Sequence, residues 1–233
     1  MRRRSVAAFT ALALAALALT ACSTNDGPDA PGGSADDGLD VGAAWLAAGT
    51  LIALVTDGSS SCRPFVDGVV VDGGILVVTL KESTGEERAC TDDLVQRGTV
   101  VGVPDGITPG TGIDIQVTLD GAAGETSFGE TSLPDYTGRA VDEYTPSAGW
   151  VDADTFALLT WGSSSCAPQV ESATATAPDS VEVTFVQPPA DQVCTMDMAP
   201  QVAVVTVEGD VSPDATISVA GGGALPGGSI PID

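Results

Sequence analysis

The chain carries one pattern twice. Gly58-Ser59-Ser60-Ser61-Cys62 returns as Gly162-Ser163-Ser164-Ser165-Cys166, and Cys90-Thr91-Asp92-Asp93 returns as Cys194-Thr195-Met196-Asp197. Both recurrences share one offset, 104 positions (62 to 166, 90 to 194). Ala53-Leu54-Val55-Thr56 parallels Ala157-Leu158-Leu159-Thr160 at the same offset, and Val101 and Val103 parallel Val205 and Val207. Val78-Thr79-Leu80 matches Val183-Thr184-Phe185 one residue out of step. A period of this length exceeds that of solenoid repeats and marks a tandem duplication, so the chain must fold as two like units.

The first residues read as a targeting segment. Arg2-Arg3-Arg4 precede an apolar run from Val6 to Leu19, too short for a mature membrane span. The run ends Leu19-Thr20-Ala21-Cys22, which resembles a bacterial lipobox. That resemblance implies cleavage before Cys22, acylation of its thiol, and a membrane anchor built from acyl chains worth about 0.8 kcal/mol per buried methylene. Residues 1–21 are thus assigned to a lipoprotein signal peptide. Residues 22–42, rich in Gly, Pro, Ser and Asp, are assigned to a lipidated cysteine and a flexible tether. The expected location is the extracytoplasmic face of the cell membrane.

Charge narrows the partners. The formal charge is −24, and loss of the leader removes three of eight basic residues and no acid, giving −27. Phosphate-rich partners would be repelled, so nucleic acid is not expected. Cations, a basic protein or another component of the cell envelope suit this charge better. With Cys22 acylated, four cysteines remain and allow three pairings. The duplication selects Cys62–Cys90 and Cys166–Cys194, one bridge per unit, in keeping with an oxidising compartment. Each bridge is worth about 3–4 kcal/mol in the chain-entropy account.

The apolar runs are short, β-branched and bounded by turn residues. The pattern predicts strands at 50–56, 65–71, 75–80, 99–103 and 113–119, and again at 155–161, 169–176, 181–186, 202–207 and 216–220. Asp72-Gly73-Gly74 predicts a hairpin turn. A single helical turn after Cys90, capped by Thr91 or Asp92, is the only helix expected. The fold class is therefore all-β: two tandem small sandwich- or barrel-like domains of about five strands, each with one disulfide. Domain 1 spans 43–120, a linker 121–147 and domain 2 148–233. The tail beyond the glycines at 221–223 is expected to be loose, with Ile230 and Ile232 as candidates to dock.

Gly-Ser-Ser-Ser-Cys looks like a nucleophile motif, but the chain has no histidine. A Ser-His-acid triad is therefore absent, and the only lysine, Lys81, belongs to one copy. Ser59, Ser60, Ser61, Ser163, Ser164 and Ser165 are read instead as loop-forming residues whose hydroxyls satisfy backbone groups, with ligand contact as a secondary role. Gly58 and Gly162 are read as glycines that permit positive φ. Asp93 and Asp197 are read as caps. Arg63 and Arg97 face Ala167 and Gln201 in the second copy, so any role they have belongs to one domain. No metal site and no cofactor is expected: zinc or iron lacks ligands, and Asp152, Asp154, Asp105 and Asp114 do not form a calcium loop.

Trp161-Gly162-Ser163-Ser164-Ser165-Cys166-Ala167-Pro168 followed by Cys194-Thr195-Met196-Asp197 resembles secreted lipoproteins of actinobacteria with tandem repeats of this type. The first copy departs from it at Asp57, where the second has Trp161. The resemblance implies location and fold and carries no activity. The expectation is a lipid-anchored, non-enzymatic binding or interaction module. The alternatives are a cell-envelope hydrolase using carboxylates and a surface cation-binding protein. A concave pocket holding two carboxylates would favour the hydrolase.

Overall fold

The computed structural model describes residues 38–82, 89–130, 144–221 and 229–232. The leader, Cys22, most of the tether and residues 131–143 of the linker lie outside them. The first half carries strands β1 (Val41–Leu46), β2 (Leu51–Gly58), β3 (Pro64–Asp72), β4 (Ile75–Glu82), β5 (Val95–Gly102), β6 (Ile113–Leu119) and β7 (Ala122–Phe128). The second half carries β8 (Ser147–Trp150), β9 (Thr155–Gly162), β10 (Val170–Ala177), β11 (Ser180–Phe185), β12 (Ala199–Thr206), β13 (Thr216–Gly221) and β14 (Ser229–Pro231). The protein is all-β, and its two halves repeat one architecture.

In each half a three-stranded sheet lies over a four-stranded one. The orders are β1-β2-β5 over β3-β4-β6-β7, and β8-β9-β12 over β10-β11-β13-β14. The central pairs β4–β6 and β11–β13 are parallel. Alternation along the strands drives Ile52, Leu54, Leu76, Val78, Leu80 and Ile115 into the first core and Phe156, Leu158, Val181, Val183, Phe185 and Ile217 into the second. Each such side chain contributes about 1.5–3 kcal/mol on burial. The β3–β4 hairpin turns at Gly73 (φ +60°) and Gly74 (φ +91°), the paired positive dihedrals of a type I′ turn.

Among the described residues each half has seven strands rather than about five. β1 begins at Val41, inside the stretch read as tether, and β7 occupies 122–128, inside the stretch read as linker. β7 escapes a hydrophobicity reading because it is a sheet-edge strand of mostly exposed small and polar residues. No helical turn follows Cys90, and β5 starts at Val95. Ile230 and Ile232 do dock, at 8% and 6% exposure, through β14 and a bridge from Ile232 to Ala148.

Residues from Asp36 onward form one compact unit, and the seam between the halves is apolar. Ala44, Leu46 and Ala53 of the first three-stranded sheet, with Ala47 of its β1–β2 connection, meet Ala157, Leu159 and Val202 of the second. The strands β2 and β9 are consequently buried on both faces, which is why they read as continuous apolar runs rather than alternating ones. The β1–β2 connection has left-handed dihedrals at Ala47, Ala48 and Gly49 (φ +50°, +49° and +82°). This turn is costly for alanine, and the second half helps to hold it: Ala47 N donates to Ser147 Oγ at 2.9 Å.

Candidate functional site

The repeated motifs meet at one end of each sandwich, where the exit of β2 or β9 is bound to the loop before β5 or β12. The disulfides are Cys62–Cys90 and Cys166–Cys194. Beside each lies a knot of hydroxyls. In the first copy Ser59 Oγ lies 2.7 Å from Thr91 Oγ1 and 3.1 Å from Ser61 Oγ, and Thr91 N donates to Ser61 Oγ at 3.0 Å. In the second, Ser163 Oγ lies 2.8 Å from Thr195 Oγ1 and 3.2 Å from Ser165 Oγ, and Thr195 N donates to Ser165 Oγ at 3.0 Å. The amides of Ser60 and Ser164 donate to the carboxylates of Asp93 and Asp197 at 3.3 and 3.1 Å.

Asp93 and Asp197, read as caps of a turn, are clamps between two loops. The Thr195 hydroxyl, followed by Ser164, holds the Asp197 carboxyl at a pKa of about 2. Thr91 and Ser60 lower that of Asp93 in the same way. All six serines are gathered into these knots. Gly162 has no positive φ, which corrects the conformational reading of that glycine.

The two copies diverge one layer deeper. Arg97, on β5 opposite Thr56, is 6% exposed. Its guanidinium donates to Asp57 O at 2.9 Å, Cys62 O at 2.5 Å and Ser59 O at 3.4 Å, and pairs with Glu82 at 2.7 Å. It fills the space beside Gly58 so fully that a Cβ there would collide with it. Gly58 thus serves close approach. Gln201 stands at the equivalent place on β12, opposite Thr160. Its shorter side chain keeps the bond to Ser163 O from among the equivalents of those carbonyl contacts. A Cβ on Gly162 would meet nothing within 4 Å.

The space left open is a cavity of about 690 Å³. Its apolar wall includes Trp161, Pro168, Val186, Pro188, Pro189 and Met198. Its polar groups include the amides of Gln169, Gln192 and Gln201, with Ser163 and the Cys166–Cys194 bridge at one side. Trp161 stands where the first copy has Asp57, and Tyr144 meets it edge-on at 5.3 Å between ring centres. Thr160 lines the cavity, is 1% exposed, and has no partner for its Oγ1. Thr56 is likewise unpartnered in the first copy, so this orphan hydroxyl belongs to the shared scaffold. Val193 and Met196, in the loop that forms one wall, are fully exposed.

Of the residues the sequence singled out, Gly162, Ser163, Cys166, Ala167, Pro168, Cys194 and the unmatched Gln201 line the cavity. Trp161 is visible as a departure between copies. Met198, Pro188 and Pro189 give no separate signal. A smaller cavity of about 240 Å³ is bordered by Asp40, Asp57 and Asp152. Asp152 accepts from the amides of Asp154 and Thr155 at 3.1 and 2.8 Å, closing a turn. Among the described residues, the one tight group of metal-ligating side chains is Cys62, Glu82 and Cys90, whose sulfurs are joined to each other. No family model, curated protein or solved structure matches this chain.

Proposed function

We propose that the protein is held on the extracytoplasmic face of the membrane by lipid on Cys22, and that it is a binding module without catalytic activity whose site is in the second domain. The observation that carries this reading is the divergence of the two copies at one place. The first is closed by the buried Arg97 and its part-exposed partner Glu82, and the second is open as a cavity within the usual size range of ligand pockets. Duplication followed by loss of the plug in one copy leaves a scaffold domain and a receptor domain.

The chemistry around the cavity supports binding over hydrolysis. Among the described residues no carboxylate lines it, so they supply neither the acid nor the base of a carboxylate mechanism there. The serines beside it are committed to the hydroxyl knot and have no histidine to accept a proton. The two disulfides suit an oxidising compartment.

The test is native mass spectrometry of the soluble form, residues 23–233, after incubation with a detergent extract of cell envelopes. The same form carrying Trp161→Asp serves as comparison. A discrete adduct on the first and none on the second is expected. No adduct, or an equal adduct on both, ends the reading.

A further inference from the structure

We infer that the cavity of the second domain takes a small uncharged molecule with an apolar body and a few hydrogen-bonding groups, one per chain; this rests on the binding reading above. Three observations carry it. First, among the described residues no charged side chain lines the cavity, although the chain holds 32 acids and 8 basic residues. An ionic ligand would lose hydration there with no counter-charge to replace it, and an anion would also meet the field of an acidic protein. Second, the lining is an aromatic, proline and methionine wall interrupted by the amides of Gln169, Gln192 and Gln201. Such a wall buries an apolar body, and its few polar groups fix the orientation. Third, Arg97 and Glu82 bring charge into the corresponding place of the first domain, and both are replaced by amides in the second. Gln201 stands for Arg97. Gln187, the residue after Val186, stands for Glu82. Both charges vanish where the space opens, and they remain where it is filled.

Volume sets the ligand's size. A cavity of about 690 Å³ with an open mouth accommodates a molecule of drug-like dimensions or one end of a longer amphiphile. The exposed Val193, Met196 and Met198 on the adjoining loop extend the apolar surface past the mouth, so an apolar tail could continue along it.

The experiment titrates the soluble form, residues 23–233, with N-phenyl-1-naphthylamine, which is neutral at pH 7, and reads its emission and energy transfer from tryptophan. The anionic dye anilinonaphthalene sulfonate and a quaternary ammonium analogue are run in parallel. Saturable 1:1 binding of the neutral probe is expected, at least tenfold tighter than that of either charged dye. The variant Gln201→Arg with Gln187→Glu, which copies the pair of the first domain, is expected to weaken it at least tenfold. Met198→Glu changes a half-exposed rim residue without touching the core and is expected to do the same, so a misfolded plug variant leaves the test intact. Tighter binding of a charged dye that is lost in Met198→Glu would overturn the ligand class and leave the binding reading standing. Neutral-probe binding unchanged in both variants would overturn the placement in this cavity. Failure of all three dyes, together with an adduct in the mass-spectrometric test, would also overturn the class; failure in both assays would remove the binding reading itself.

Discussion

Gly98 and Val202 hold equivalent positions in the two copies, yet they face each other across the seam: the Val202 side chain occupies the space that a Cβ on Gly98 would need. Residues related by the duplication thus meet at the pseudo-symmetry axis, and they cannot both be large. One copy supplies the knob and the other the hole.

Gly98→Val should therefore destabilise the protein by about 1–3 kcal/mol through overpacking. Adding Val202→Ala should recover part of the loss, giving a coupling energy of about 0.5–3 kcal/mol between the two sites. Urea unfolding of the two single variants and the double variant measures it. Strict additivity would mean that the seam is not packed as described.

Arg97→Ala should be the more damaging of two equivalent changes. It leaves three backbone carbonyls and the part-exposed Glu82 without their partner beside a void, an effect of about 1–3 kcal/mol for unsatisfied buried acceptors. Gln201→Ala removes one hydrogen bond at the wall of an existing cavity and should cost about 1 kcal/mol. Similar losses for both, measured by denaturant midpoint, would contradict the view of Arg97 as a plug.

The bridges should differ in accessibility at one end. Cys90 and Cys194 are both exposed, but Cys62 is fully buried, whereas Cys166 is part-exposed at the cavity wall. Partial reduction followed by alkylation and peptide mapping should label Cys166 and Cys194 first. Faster labelling of Cys62 would show that the first domain opens more easily than its packing indicates.

The hydroxyl knot should fail in acid. Asp197 has a folded pKa of about 2, below its ordinary value of 3.8. A lowered carboxyl pKa stabilises the fold above the ordinary value and stops doing so as pH falls through the folded one. The contribution should thus be complete above about pH 4 and lost toward pH 2, and absent at every pH in Asp197→Asn. Carbon-detected NMR titration of the carboxyl reports it. A midpoint near 3.8 would mean that the Thr195 and Ser164 hydrogen bonds do not form in solution.

Cys22→Ala should abolish anchoring, leaving unprocessed precursor or protein released to the medium, as read by membrane fractionation. Retention of a processed, membrane-bound form in that variant would refute the lipid anchor.

Much of the scaffold is legible in the residues themselves. The constant offset between copies dictates two like units and selects one disulfide pairing of three, because equal spacing leaves each cysteine a partner within its own copy. Most of the central strands follow from β-branched runs between turns. The β6–β7 hairpin was there to be read as well: Asp120-Gly121 between Leu119 and Ala122 is a type I′ turn signal, and both residues have positive φ. β7 itself is mostly exposed and lacks an apolar face, so hydrophobic periodicity leaves it in the linker. The seam and the cavity are different in kind. Burial of Ala53 against Ala157 and Leu159 depends on how two separately closed sandwiches approach, and no local pattern encodes an approach. Arg97 and Gln201 are visible in the sequence as an unmatched pair, but not as plug and vacancy. What separates them is the reach of one side chain into a space defined by the exits of β2 and β9, the disulfide and the following loop. Hydrogen-bonding valence and strand periodicity act between neighbours along the chain and determined the two sandwiches; the shape of empty space depends on all its walls at once, so only the tertiary structure decided which copy is open.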